Sequence, residues 1–278
     1  MSQANDTQLS IETKPQQNNS SLKKPARLTG NVKLTLHTSA AQQLFIGTKE
    51  GRKRTTDLLQ FGGRMTEIWL AAKKDNPYAD WFLLRAYDRL AKVRQQLLAA
   101  VSQYRQQLES ANQKNRLDVE LFTSSKPSSH PLRFGTQYGF LGGSLIADYD
   151  ELMRILLTAR QIGILFDEPY SVIQQAWKKQ IIELFRLPFQ WAAFSVTRLD
   201  VEKNNDNAKA AEAKMGKLPK DVIEAKIRSP FAPIIIPAQE ATDQATSEDK
   251  KDNPQSTKNN DKKNQEQSEP APKLNQSD

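Results

Sequence analysis

A glycine pair followed by a hydroxyl, a run of carboxylates, two histidines and a tight basic cluster are the places where this chain offers chemistry. The glycines stand in Gly142-Gly143-Ser144, between apolar residues and an amphipathic stretch. A Walker-type phosphate loop needs Lys and then Ser or Thr directly after its last glycine, because the lysine reaches the β/γ-phosphates and the hydroxyl binds magnesium. Here Leu145 follows Ser144 and no lysine is near. A dinucleotide site needs its glycines at a helix N-terminus, where backbone amides meet the pyrophosphate. Leu145, Ile146, Ala147 and Asp148 intervene, and an acidic cap at Asp148 repels phosphate. A nucleotide site is therefore rejected, and the glycines read as close packing or a kink in a strand.

Asp148, Asp150 and Glu151 form a carboxylate cluster that a helix cap with first-turn acids explains without a metal. His37 and His130 are far apart, with no His-x-x-x-His pair and no glycine-flanked nucleophile. There are no cysteines, which excludes thiolate zinc sites and cysteine nucleophiles. The expectation is a non-enzyme without cofactor, metal or small-molecule substrate. What remains is basic: Arg52-Lys53-Arg54 between glycines, with Lys33, Thr35 and His37 upstream and Arg64 just after.

The charge supports that emphasis. The 278 residues carry a formal +8; the first 30 hold four basic and two acidic groups, and residues 237–278 hold six and nine, which leaves +9 on the intervening body. Basicity thus belongs to the fold, and it favours a polyanionic partner, double-stranded DNA. Residues 1–29 and 237–278 are polar and lack apolar periodicity. They cannot bury enough apolar surface to offset roughly 1–2 kcal/mol of ordering entropy per residue, so both read as disordered tails around a single folded body at 30–236. No apolar run approaches the ~20 residues of a membrane span and no signal-peptide pattern follows Met1, so the protein is expected in the cytoplasm.

The elements that position these residues follow from pattern. In "NVKLTLHT" Val32, Leu34 and Leu36 face one way and Lys33, Thr35 and His37 the other, a half-buried strand. "SAAQQLFI" reads as a short helix and "GTKEGRKRTT" as an exposed loop. A helix follows with Met65, Ile68, Trp69 and Ala72 on one face and Gly62-Gly63 as a weak point. Asn76 caps and Pro77 opens a long helix. Its residues Leu83, Tyr87, Leu90, Arg94, Leu97, Val101, Tyr104 and Leu108 keep 4-3 spacing, a heptad seam with one charge in it. That seam packs either on its own domain or against a second subunit. "LDVELFTS" (117–124) and 133–147 read as strands, with "SKPSSHP" a loop between them. Helices follow from Asp148 to Gly163 and from Pro169 to Pro188, then a strand in "FSVTRLDV" and two short helices. The expected class is α+β, helix-dominant, with short strands, a ribbon-helix-helix-like unit and one long helix.

"DNPYADWFLLR", "LIADYDELMRILLTARQIGIL" and "MGKLPKDVIEAKIRSPFAPI" together resemble the integrating conjugative element proteins that include the AcaB-like transcriptional regulators. The likeness covers about 31–236. It implies a protein of a bacterial mobile element and, for that branch, a DNA-binding activator of transfer genes with a ribbon-helix-helix-type domain. In such domains two chains pair their strands and the ribbon enters a major groove. The 133–147 strand offers Arg133 and Gln137 and then glycine and aliphatic residues, too apolar to read bases. The expected DNA surface is instead Lys33, Thr35, His37, Arg52, Lys53, Arg54 and Arg64, with 138–187 as scaffold.

Two functions remain open. One is a homo-oligomeric DNA-binding regulator of transcription; the other is a structural or adaptor protein of the conjugative transfer machinery, built on the seam. The charge distribution makes the first prediction. A 30–236 fragment should bind DNA within a few fold of the full chain, with log affinity falling by about 0.9 per log salt for each phosphate neutralised. Fluorescence anisotropy across a salt series checks it, and loss of binding with the tails would defeat the charge argument.

Overall fold

The computed structural model describes residues 30–50 and 53–236. The expected disordered tails, and Gly51 and Arg52, lie outside the described residues. The first strand, β1 (Val32–Leu36), leads into α1 (Ser39–Ile46), where Thr38 accepts a hydrogen bond from the Ala41 amide as N-cap. A two-residue hairpin, β2 (Lys49–Glu50) with β3 (Lys53–Arg54), follows. The segment expected as a plain loop therefore has ladder pairing at its base.

Two helices then form one wall. Asp57 opens α2 (Leu58–Lys73) with a capping box that includes Gln60. Asn76 caps α3 (Pro77–Asn115) and Pro77 occupies its first turn, as the residue types require. At 39 residues, α3 is about 60 Å long. Its buried stripe is Leu83, Ala86, Leu90, Val93, Leu97, Val101 and Leu108. Most of the heptad residues are thus covered from within the chain, chiefly by the next helices in sequence. Tyr87 and Tyr104 flank the stripe and meet Phe231 and Phe166 edge-on at 5.8 and 5.1 Å. Arg94 is neither buried nor unpaired: its Nε donates to Asp148 at 2.7 Å.

Residues expected as a strand from 133 to 147 belong mostly to a single helix, α4 (Gln137–Gln161). This is the largest departure from what the sequence predicts. The helix touches α1, α2, α3, the next helix α5 (Tyr170–Arg186) and β1. Tyr138, Leu145, Ile146, Tyr149, Leu152 and Met153 are all completely buried. The first turns of α4, 137–147, hold few polar side chains, so they show no polar stripe of 3.6-residue period, and the alternation of Phe134, Thr136, Tyr138 and Phe140 imitated a strand. Asp148 and Glu151 sit in its interior and do not form a capping box.

The glycines of α4 have a packing reason. A Cβ on Gly139 would lie 2.2 Å from Phe134 Cγ, and one on Gly62 of α2 would lie 2.5 Å from the same ring. The Phe134 ring is wedged where two helices approach, and both sides must lack a side chain. Gly142 meets Leu58 and Phe61 in the same way.

The strand that does precede α4 is β4 (Ser128–Leu132), inside the segment expected as a loop. It pairs antiparallel with β1, Val32 opposite Leu132 and Leu36 opposite Ser128. The order strand, helix, helix therefore stands, but its strand is β4, and the strand it pairs with is in the same chain. Residues 117–124 form no ladder. Their backbone is held by side chains instead: the Phe122 amide donates to Thr158 Oγ1 and the Ser124 amide to His37 Nδ1.

Gly163 follows the end of α4 at φ +80°, and Pro169 precedes α5, as expected. After a short 3-10 turn at Leu187–Gln190, the "FSVTRLDV" segment is irregular and then helical, not a strand. Thr197 and Asp200 make a capping box for α6 (Arg198–Glu202). Then come α7 (Asp206–Met215) and α8 (Lys220–Ile223). The class is helix-dominant α+β, with two antiparallel strand pairs among the described residues, both at the surface of a helical core.

The wedge yields the second prediction. Gly139→Ala should lower stability by about 1–3 kcal/mol, the usual effect of overpacking. Gly63→Ala, where nothing lies within 4 Å, should instead raise it by up to about 1 kcal/mol through helix propensity. Urea unfolding followed by circular dichroism distinguishes the two, and equal effects would refute the close-approach explanation.

Candidate nucleic-acid interface

The β1–β4 pair is a ribbon with two unlike faces. Leu34, Leu36 and Leu132 are buried beneath it, and His130 stacks on Phe45 with ring centroids 4.2 Å apart. Directly opposed residues share a face, so Lys33 and Thr35 stand on the other side with their partners Pro131 and Ser129. All four are exposed. Arg133 follows β4 and is exposed as well. The face thus presents an ammonium, two hydroxyls and an adjacent guanidinium, groups that hydrogen-bond to base edges and phosphates.

One carboxylate fixes the end of this ribbon. Asp150, buried in α4, accepts from the His37 amide at 3.0 Å, the Thr38 amide at 2.8 Å and the Thr38 hydroxyl at 2.7 Å. Because Thr38 also caps α1, strand end and helix start are held together. The His37 backbone therefore serves this anchor and its ring Nδ1 accepts from Ser124. His37 is a joint between β1, α4 and the 117–124 segment, and it does not share the exposure of Lys33 and Thr35.

The basic cluster is separate. Gly47 ends α1 at φ +74°, and Thr48 and Thr55 clasp the hairpin base. The Thr55 amide donates to the Thr48 carbonyl at 2.8 Å, and the Thr48 amide donates to Thr55 Oγ1 at 2.8 Å. Lys53 and Arg54 lie on β3; Arg52 is outside the described residues. Lys53 and Arg54 thus belong to a short hairpin on a firm base.

Arg64 does not join either group. Its Nη2 donates to the Trp191 carbonyl at 2.7 Å, its guanidinium lies 4.8 Å from the centroid of the Trp191 ring, and Nη1 pairs with Glu67. It ties α2 to the chain after α5. Sequence reasoning placed it with the DNA contacts because it follows the cluster closely; the fold gives it internal partners at Trp191 and Glu67. The exposed place of Ser129 on the ribbon was not legible, because a segment with two prolines and three serines carries no strand signal.

Residues 24–236 match the family described as "Transcriptional regulator AcaB". The chain belongs to the AcaB transcriptional regulator family. Among solved structures it is similar to the crystal structure of selenomethionine-containing AcaB from uropathogenic E. coli. The identity is 16% over 72% of this chain and 97% of that chain, with a TM-score of 0.46. No curated protein matches it. Among the described residues no helix is long and apolar enough to cross a membrane, and no group of three or more His, Asp or Glu is arranged to hold a metal ion.

The Arg64 geometry gives the third prediction. Arg64→Ala should lower stability by about 1–2 kcal/mol, from a charge-assisted hydrogen bond and a cation–π contact. It should leave any salt dependence of DNA binding unchanged. A melt and an anisotropy titration on the same variant check both parts, and a flattened salt slope with an unchanged melt would return Arg64 to the DNA surface.

Proposed function

We propose that this member of the AcaB family is a DNA-binding regulator that works on transfer genes of a bacterial conjugative element, as an activator. The family supplies the regulatory role. The observation that carries DNA binding is the outer face of the β1–β4 ribbon, where Lys33, Thr35 and Ser129 project from a two-stranded surface anchored through Asp150. A two-stranded ribbon fits a major groove about 12 Å wide, and Lys, Ser and Thr all pair with base edges there. The +9 body supplies the long-range attraction.

Roles divide by chemistry. Lys33, Thr35 and Ser129 read bases. Arg52, Lys53 and Arg54 hold phosphates, since clustered cations commonly fix position without carrying sequence information. The chain works as a homo-oligomer in the cytoplasm. The adaptor reading is weaker because Leu83, Leu90, Leu97, Val101 and Leu108, its device for partners, are buried inside the chain.

The test is a pair of variants on duplexes drawn from the chain's own promoter region and from unrelated sequence. Replacing Arg52, Lys53 and Arg54 with Ala should weaken both duplexes alike and lower the salt slope by up to about 2.7, at 0.9 per phosphate. Replacing Lys33 and Thr35 with Ala should instead narrow the gap between the two duplexes, by about 1–3 kcal/mol for each base that is no longer read. A wild type that binds neither duplex, or binds both equally, overturns the proposal.

A further inference from the structure

The fold leaves one face of α2 without a partner. Leu58, Phe61, Met65, Ile68 and Ala72 are buried. The other side carries Leu59, Gly63, Thr66 and Leu70 at 4-3-4 spacing, which a helix brings onto one face. Leu59 is 51% exposed and Leu70 50%. Gly63 is exposed too, and a Cβ there would have nothing within 4 Å. The Thr66 hydroxyl already donates to the Gly62 carbonyl at 2.9 Å.

The two ends of this face are complementary. At the C-terminal end a depression of about 400 Å³ is lined by Leu70, Ala71, Trp191, Phe194 and Val196, among others. At the other end Leu59 stands in solvent. The spacing is also symmetric. Leu59 and Leu70 lie equally far from the midpoint between Arg64 and Met65, and so do Gly63 and Thr66. A two-fold axis through that midpoint sets Leu59 of one copy against Leu70 of another, twice over. This is the isologous condition, in which residue i meets j and j meets i. At the centre Gly63 meets Thr66, and small side chains at a crossing let two helices approach closely.

Charge favours the same occupant. Two copies of a +9 body repel each other, so they meet most cheaply where the surface is neutral. Residues 58–72 hold only Arg64 and Glu67, which pair with each other. A nucleic acid would find no free cation on that stretch.

We propose that α2 is the interface between two copies of this chain, with Leu59 of each seated in the depression beside Leu70 of the other. The inference rests on the reading that the chain works as a homo-oligomer, and it supplies the face that the buried α3 seam does not. The interface adjoins the ribbon: Gly135, three residues beyond β4, lies against Thr66, whose Cγ2 is 3.1 Å from where a Gly135 Cβ would be. Pairing through α2 therefore sets the separation of two ribbons, and with it the spacing of half-sites on DNA. The face is smaller than the roughly 800 Å² per partner of a standard interface, so the dimer is a reversible one of micromolar affinity.

The experiment is sedimentation velocity on the full chain across a micromolar concentration series, with a melt on every variant. Wild type should show a monomer–dimer equilibrium. Leu59→Glu with Leu70→Glu should weaken the dimer by at least about tenfold, as removal of central apolar contacts does, and keep the wild-type melting temperature. Gly63→Arg, placed in open space at the crossing, should also separate the copies. Leu59→Glu with Leu70→Lys should restore the dimer, because the two-fold axis sets each introduced acid against an introduced base of the other copy. A wild-type dimer that persists in both the paired-glutamate and the Gly63→Arg variants overturns this inference and leaves the homo-oligomer reading intact. A wild type that is monomeric throughout overturns both. Separation by the glutamates without restoration by the charge swap overturns the two-fold pairing of Leu59 with Leu70.

Discussion

A single buried carboxylate holds the surface of this protein to its core. Asp150 leaves the middle of α4 and accepts three hydrogen bonds from the junction of β1 and α1. An ionised group in that position is expensive unless its oxygens are satisfied, and charge-assisted bonds to amides and a hydroxyl are strong enough to do it. The bonds are also directional. They set where β1 ends, and through the β1–β4 register they set which residues face outward. A hydrophobic residue at 150 would still pack, but it would not specify that junction.

The same helix repeats the device at lower stakes. Asp148 pairs with Arg94 and Glu151 with Arg105, both on α3. These pairs are partly exposed, and such pairs contribute little to stability on their own. Their effect is to fix the rotation of α4 against α3, two long helices whose apolar contacts alone tolerate sliding. The glycine face of α4 works with them. With Gly139 and Gly142 against Phe134 and Leu58, α2 and α4 approach closely, so only one rotation brings all three carboxylates to their partners.

A second buried charge closes the other end of the molecule. Asp80, in the first turn of α3, is fully buried and receives Arg198 and Arg228 from the C-terminal part of the body. Arg198 also reaches Asp75 and the carbonyls of Val222 and Ile223. Beside this cluster the Tyr138 hydroxyl bonds with Ser229 at 2.5 Å, and burial pushes its pKa well above the ordinary tyrosine value. Residues 196–236 hold only short helices, and these bonds help to keep them on the helical core. Removing either arginine would leave Asp80 with too few donors, which is the costly way to break a buried pair.

What the amino-acid sequence alone determined was local and chemical. Asn76 and Pro77 mark a helix start and Gly163 marks a stop, because capping depends on neighbours in the chain. The strand at 32–36 and the short helix at 39–46 were legible because each keeps one face in water, which leaves a period to read. The positive body was legible because charge is additive. The first half of α4 was not, because 137–147 carries few polar side chains to mark a period and its glycines looked like a strand kink. The ladder of β4 was hidden behind serine and proline, residues that form a strand here only because β1 supplies the partner. The site divided along the same line. Lys33 and Thr35 face outward as their alternation required, whereas Arg64 and His37 are held by Trp191 and Ser124, residues far away in sequence. Only the tertiary structure could bring those partners together, since they lie far apart in the chain.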